Sequence, residues 1–345
     1  MVVVVTGATG FLGGAVVRRL VRDGESVVAT GRRAAALAAL RSPFVETVSA
    51  ALEERSAVDA VFRAAAKSSR ASATSGGGGT IDSVVHCAAL SAPWGPRAAF
   101  QAANVTATEN VLAAALEAGV RRFVHVSTPA IYFDGGDRRD VREDAPLPRP
   151  AGHYQRTKLA AEHAVERAVA RGLDALVLRP RALFGPGDTT IFPRLLRALE
   201  SGRLPVIGSG ENRVDLTYVD NAAHAVALAL RAPAALAGRR YNVTNGEPVP
   251  LWPLLTRLAT ALGLAPPTKR IQRRTAHLVA GGLELAHSLL RLEREPLLTR
   301  YTVGLLAADT TLDIGAAQRD LGYAPLVGVE EGIESFLRWW REVAP

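Results

Sequence analysis

The chain has 345 residues, 48% hydrophobic and 21% charged, enough apolar material for a sizeable core and too little charge for wholesale disorder. Its formal charge is +8, but only Lys67, Lys158 and Lys269 are lysines; the rest are arginines spread along the chain, which reads as compositional bias and excludes a concentrated nucleic-acid patch. Cys87 is the single cysteine, which excludes an intrachain disulfide and fits a reducing cytoplasm, while the start has no basic region before its short apolar run and no stretch reaches the roughly 18 uninterrupted apolar residues of a spanning helix.

Short valine-rich runs alternate with alanine- and leucine-rich helical stretches. Strands are expected at 2–5, 26–30, 83–87, 122–126 and 175–179, and helices at 10–22, 58–67, 100–118 and 154–171. The strands show no inside/outside alternation, as expected where helices cover both faces, so the pattern argues an α/β fold with a doubly wound parallel sheet. The Ser/Gly-rich stretch 68–80 reads as a surface insertion. After Pro180 the pattern loosens: turn chemistry at Gly185-Pro186-Gly187-Asp188, a helix at 192–201, strands at 215–219 and 241–243 returning to the sheet, and mostly helices from Pro250. The expected division is therefore 1–180, with 208–249 returning to it, and a smaller, mostly helical lobe from 181–207 and 250–345.

Four motifs carry chemistry. Thr6-Gly7-Ala8-Thr9-Gly10-Phe11-Leu12-Gly13 follows the first strand and opens the first helix. In that context Gly7 permits a tight turn, Gly10 a close approach of backbone to a pyrophosphate, and Gly13 close helix packing, while the N–H groups of the helix start face the phosphates. At the end of the second strand, Ala29-Thr30-Gly31-Arg32-Arg33 has no acid for a ribose 2′-hydroxyl; Arg32 and Arg33 suit a 2′-phosphate, so NADP(H) is expected over NAD(H). Tyr154-Gln155-Arg156-Thr157-Lys158 puts Tyr154 and Lys158 on one helical face, where an ammonium would lower the phenol's pKa from its ordinary value near ~10. Finally, the strand at 122–126 ends in Ser127-Thr128, beyond the carboxyl edge where open α/β sheets bind ligands; Thr128 is placed to bond a substrate oxygen or to cap a turn.

With these motifs in order, the chain resembles the extended short-chain dehydrogenase/reductases, whose fold is the Rossmann-type sheet with a C-terminal substrate lobe. Asn104-Val105 with Thr108, Asn110 and Val111, Arg179-Pro180, Phe184-Gly185-Pro186-Gly187-Asp188 and Thr217-Tyr218-Val219-Asp220 extend the likeness over most of the chain. The resemblance implies Tyr154 as general acid or base, Lys158 as the partner that holds the nicotinamide ribose and tunes Tyr154, Thr128 as the hydroxyl beside them, and Ala88 and Asn104 in the cofactor site. Two departures stand out: Ala51-Leu52 where many members carry Asp-Leu, and Ala107 in place of a glycine.

Within that family the chain looks like the 3β-hydroxysteroid dehydrogenase-like branch, and more narrowly resembles the 2-alkyl-3-oxoalkanoate reductases of bacterial olefin biosynthesis. The residues behind this are 89–96, 125–133, 241–248 and 298–303. The likeness implies reduction of a β-keto acid in lipid metabolism by a cytoplasmic enzyme, with sugar-nucleotide epimerase or dehydratase, hydroxysteroid or sterol dehydrogenase, and non-enzymatic cofactor sensor as alternatives. It also implies a homodimer built on the helices at 100–118 and 154–171, and assembly with pathway neighbours. Substrate candidates are Trp94, as an apolar wall or a loop-packing residue, and Arg181 and Arg213, as carboxylate partners or surface residues. The apolar stretch 278–292, broken by Gly281-Gly282, could line an acyl pocket, touch a lipid surface or pack on the small lobe. His86, His125, His153 and Cys87 read as structural, with no metal-ligand spacing.

Overall fold

The computed structural model describes residues 1–72, 81–202, 204–290, 292 and 294–343. Seven strands form the main sheet: β1 (Val2–Thr6), β2 (Ser26–Gly31), β3 (Val45–Ser49), β4 (Ser83–His86), β5 (Arg122–Val126), β6 (Ala175–Pro180) and β7 (Arg240–Val243). Their order is β7-β6-β5-β4-β1-β2-β3, and every pairing is parallel. The chain reverses direction across the sheet between β1 and β4, which opens a crevice at the carboxyl ends of those two strands.

The uninterrupted valines follow from this burial. Val3 and Val5 pack against α1 (Phe11–Arg22) on one face, whereas Val2 and Val4 pack against α2 (Arg55–Ser72), α3 (Ala107–Glu117) and α4 (His153–Ala170) on the other. A further helix, α5 (Val219–Arg231), joins α1 on the first face. A separate apolar cluster, including Phe184, Phe192, Trp252 and Phe336, fills the lobe beyond the sheet's carboxyl edge.

Several expectations are corrected. Helix α2 runs to Ser72, past the expected start of an insertion at Ser68, because the alanines and Lys67 continue a helix-favouring run; residues 73–80 lie outside the described residues. The expected strand at 215–219 does not return to the main sheet. Thr217–Tyr218 pairs with Leu183–Phe184 in a two-stranded sheet, and α5 begins at Val219 with Asp220 in its first turn; β7 already occupies the edge beside β6. Arg138–Val141 pairs with Thr310–Leu312, so the first 180 residues lend a strand to the smaller lobe. The glycine pair at 281–282 does not break its helix: α6 (Arg273–Leu289) runs straight through it, and α7 (Arg300–Ala307) follows. No helix of the described residues is long and apolar enough to cross a membrane.

Helix α4 is fixed to the sheet by a buried ion pair. Glu162 of α4 accepts from Arg179 of β6 through Nε at 2.9 Å, and both side chains are almost fully buried. Ser127 also donates to Glu162, while Arg179 donates to the Tyr132 hydroxyl, which in turn donates to Asn242 at 3.1 Å. Glu162→Ala leaves the Arg179 cation buried without its partner. We expect a loss of about 3–5 kcal/mol in unfolding free energy, read by urea denaturation; a change below about 1 kcal/mol, the scale of an exposed pair, would contradict the anchoring role.

Candidate active site

The glycine turn occupies the crevice between β1 and β4. Gly7 has φ +66°, and a Cβ there would meet the backbone N of Ala88 at 2.7 Å, so only glycine allows the loops after β1 and β4 to touch. A Cβ on Gly13 would lie 2.1 Å from the Gly7 carbonyl oxygen, so the first turn of α1 presses directly on that loop. Gly10 caps α1 without any side-chain hydrogen bond, and no acidic residue sits in the first turn. The N–H groups at Phe11 and Leu12 thus belong to an uncapped, electropositive helix start, which suits a pyrophosphate. Thr9 is partly accessible on the same loop, and Arg33 reaches across to donate to the Thr9 carbonyl at 2.7 Å. Arg32 and Arg33 are both exposed at the end of β2. These residues fit a dinucleotide.

Helix α4 carries Tyr154 to the carboxyl end of β5 through a series of bonds. Gln155 accepts from Ala151 and Gly152 and donates to the carbonyls of Ala130 and Phe133. Lys158 donates to the Val126 carbonyl at 2.7 Å and lies 3.4 Å from Nε2 of His125. Thr128 caps the short turn Pro129–Tyr132 by accepting from Ala130 N at 3.2 Å. Its hydroxyl also lies near enough to Tyr154 to influence the phenol. Ser127, its neighbour, turns inward to Glu162 instead.

The electrostatics differ from the simple expectation for a Tyr/Lys pair. Burial pushes the Tyr154 phenol above its ordinary pKa, while hydrogen bonds with Ser91 and Thr128 pull the other way. The Lys158 ammonium itself is held on the Val126 carbonyl. Burial lowers Lys158 itself to about 8, opposed by Glu162 and Cys87. The same burial lowers His86 to about 3 and His125 well below its ordinary value, with Lys158 reinforcing both shifts, and raises the Cys87 thiol to about 12. His86 is consequently neutral. Thr108 donates to the Asn104 carbonyl at 2.7 Å, so its oxygen accepts from Nε2–H of His86, whose Nδ1 accepts from Thr6.

Asn104, expected in the cofactor site, has its side chain engaged by the scaffold. Its Oδ1 accepts from Leu90 N at 2.6 Å, and its Nδ2 donates to the Leu90 carbonyl and to Thr157. Both amide protons are thus engaged, and the residue ties the loop after β4 to α4. Asn110 plays a similar part where Ala51-Leu52 departs from the family pattern, donating to the carbonyls of Leu52 and Glu53.

A cleft of about 830 Å³ opens beside Tyr154, between the loop at Pro93 to Gly95, the start of α4, and helices α6 and α7. Trp94 lines it and donates to the Leu292 carbonyl, with His287 edge-on to its ring, so it is both wall and loop-packing residue. Phe100, Phe133, Leu285 and Leu305 supply further apolar lining. Ala276 and Ala280 bury the inner side of α6, whereas Leu278 and Leu289 stand exposed away from the cleft. Arg181 is buried at the end of β6, donating to Thr310 in the cleft wall at 2.6 Å. Arg213 is not brought to the cleft; it is exposed on the short strand paired with Val249–Pro250 and donates to the Pro248 carbonyl. Ser91 and Tyr301 were not singled out as site residues in the sequence. Only their inclusion in the branch-like segments 89–96 and 298–303 marked them.

Comparison with known proteins agrees with this geometry. Residues 3–244 match the model of the NAD dependent epimerase/dehydratase family. A 2-alkyl-3-oxoalkanoate reductase of Stenotrophomonas maltophilia (strain K279a) is 36% identical over 346 residues, covering 96% of this chain and 97% of the relative. A 3beta-hydroxysteroid-dehydrogenase/decarboxylase isoform 1 of Arabidopsis thaliana is 33% identical, covering 96% of this chain and 77% of the relative. Among solved structures, the UDP-glucuronic acid 4-epimerase of Bacillus cereus in complex with NAD superposes with a TM-score of 0.74 over the whole of both chains at 20% identity, a likeness of fold.

The contact between Gly13 and the Gly7 carbonyl gives a test of the cofactor site. We expect Gly13→Val to abolish measurable NADP(H) binding by fluorescence titration while circular dichroism stays native, because the added atoms displace the phosphate-facing turn. Binding as tight as in the wild type would remove this turn from the site.

Proposed function

Because this chain belongs to the NAD dependent epimerase/dehydratase family of NAD(P)-dependent oxidoreductases, we propose that it reduces the 3-oxo group of a 2-alkyl-3-oxoalkanoate to the 3-hydroxy acid with NADPH. The observation that carries the reading is the placement of Tyr154 and Lys158 one turn apart on α4 at the carboxyl tip of β5, where Lys158 donates to the Val126 carbonyl, beside a cleft with apolar lining. The substrate class is taken from the reductases similar to this chain over nearly its whole length.

Bound NADPH supplies the electron pair for the carbonyl carbon. Thr128 donates a hydrogen bond to the carbonyl oxygen and polarises it. Tyr154 then gives its proton to the developing alkoxide. A phenol kept protonated by burial suits this reductive direction, since an acid must hold its proton until charge develops. Lys158 holds the strand end through Val126 and places a positive charge next to the nicotinamide ribose position. Trp94, Phe100 and Leu285 exclude water and accept the alkyl chains.

NADPH is favoured over NADH by the two arginines after β2. Arg33 uses one nitrogen on the Thr9 carbonyl, and a guanidinium carries five N–H donors, so others remain for a 2′-phosphate. A second reading, oxidation of a hydroxysteroid on the same three residues, is favoured by the likeness to the Arabidopsis enzyme.

Two measurements check the proposal. Tyr154→Phe should lower kcat by ~10²–10⁴-fold while NADPH binding is retained; unchanged turnover would take Tyr154 out of the mechanism. Steady-state kinetics should show NADPH preferred over NADH by roughly tenfold or more in kcat/KM, with Arg33→Ala narrowing the gap, since charge-assisted hydrogen bonds are worth about that factor. Equal efficiency with NADH would overturn the cofactor assignment.

A further inference from the structure

Behind the cleft wall lies a buried cation that forms no ion pair among the described residues. Arg181 is 7% exposed, its Nη2 donates to Thr310, its guanidinium lies 4.6 Å over the Phe133 ring, and its Nε is buried without a partner. The acid facing it, Asp215, forms no ion pair or hydrogen bond with it among the described residues. Asp215 Oδ2 accepts from Leu312 N at 2.6 Å, and its Oδ1 is likewise unpartnered. A buried guanidinium whose protein partners are one hydroxyl and one aromatic face is costly unless an anion completes it.

Tyr301 of α7 connects this cation to the reacting centre. Its side chain lines the cleft, as do Thr310 and Phe133. Its phenol feels two groups at once: Arg181 draws its pKa down and Tyr154 pushes it up, on top of a burial effect that raises it to about 12. Tyr301 is therefore a protonated hydrogen-bond donor lining the cleft, and its charge state responds to both Arg181 and Tyr154.

We propose that Arg181 and Tyr301 form the carboxylate end of the substrate site, so that the enzyme selects β-keto acids over the corresponding esters and ketones. The inference rests on the function proposed above. In a β-keto acid the carboxylate carbon is two bonds from the carbonyl carbon. A carbonyl oxygen held by Thr128 and Tyr154 leaves the carboxylate facing the neighbouring Tyr301, with Arg181 behind it. The alkyl chains then run into the open part of the cleft past Trp94 and Leu285. Charge-assisted donors from a planar guanidinium and a phenol suit a carboxylate and give no such return to a neutral ester.

The test follows the reverse reaction, because 3-hydroxy acids are stable. NADPH formation from NADP⁺ is measured with a long-chain 2-alkyl-3-hydroxyalkanoate and with its methyl ester. The wild type should favour the acid by about 10- to 100-fold in kcat/KM. Arg181→Gln should lose most of that preference through the acid alone, with the ester rate little changed, and Arg181→Lys should restore part of it. Tyr301→Phe should give a smaller loss, again confined to the acid, and provides the same readout if the Arg181 variants do not fold. Equal loss on acid and ester in these variants, or a wild type indifferent to the ester, overturns the carboxylate site while the reductase reading stands. A wild type inert on both compounds refutes the two together.

Discussion

The seating of helix α4 on the parallel sheet is the constraint on which the rest of the site depends. Four residues over about two turns of that helix are tied down by different chemistry: Gln155 to backbone carbonyls, Thr157 to Asn104, Lys158 to the end of β5, and Glu162 to a buried arginine of β6. Tyr154 has no comparable tether to the scaffold. Its phenol is influenced instead by two nearby hydroxyls, Ser91 and Thr128. A rigid helix that carries one reactive group keeps a proton donor positioned without neutralising it.

The same arrangement accounts for the unusual charge environment below the site. Lys158, His86 and His125 are packed together in the low-dielectric space between β4, β5 and α4, and the histidines respond by staying neutral. Lys158 is the local cation that remains, with Glu162 one turn along the helix opposing its deprotonation. Asn104 and the Thr6–His86–Thr108 chain carry this order to the loop that borders Gly7. The catalytic helix and the glycine turn are thus two ends of one hydrogen-bonded unit.

Much of this was legible in the sequence because the features are local. The glycine spacing after a valine strand, the Tyr-x-x-x-Lys spacing and the hydroxyls at the end of 122–126 each follow from one element's geometry. What escaped depends on contacts between distant segments. That Asn104 ties Leu90 to Thr157 shows only once those segments are brought together. The segment 215–219 reads as a sheet strand because its composition does not reveal that β7 already fills the edge. Tyr301 lies in a stretch with no periodic signal, and only the packing of α7 against the mouth of the sheet brings it to Tyr154. Nor could spacing alone show that Lys158 is held by Val126 while burial raises the phenol.

The most direct check of this account is a crystal structure with NADP⁺ bound. The account places the pyrophosphate over the start of α1 at Gly10 to Leu12 and the nicotinamide end at the carboxyl tip of β5, within reach of Tyr154, Thr128 and Lys158, with α4 unmoved. A dinucleotide seated elsewhere on the sheet, or one that needs α4 to leave its tethers before the nicotinamide meets Tyr154, would contradict it.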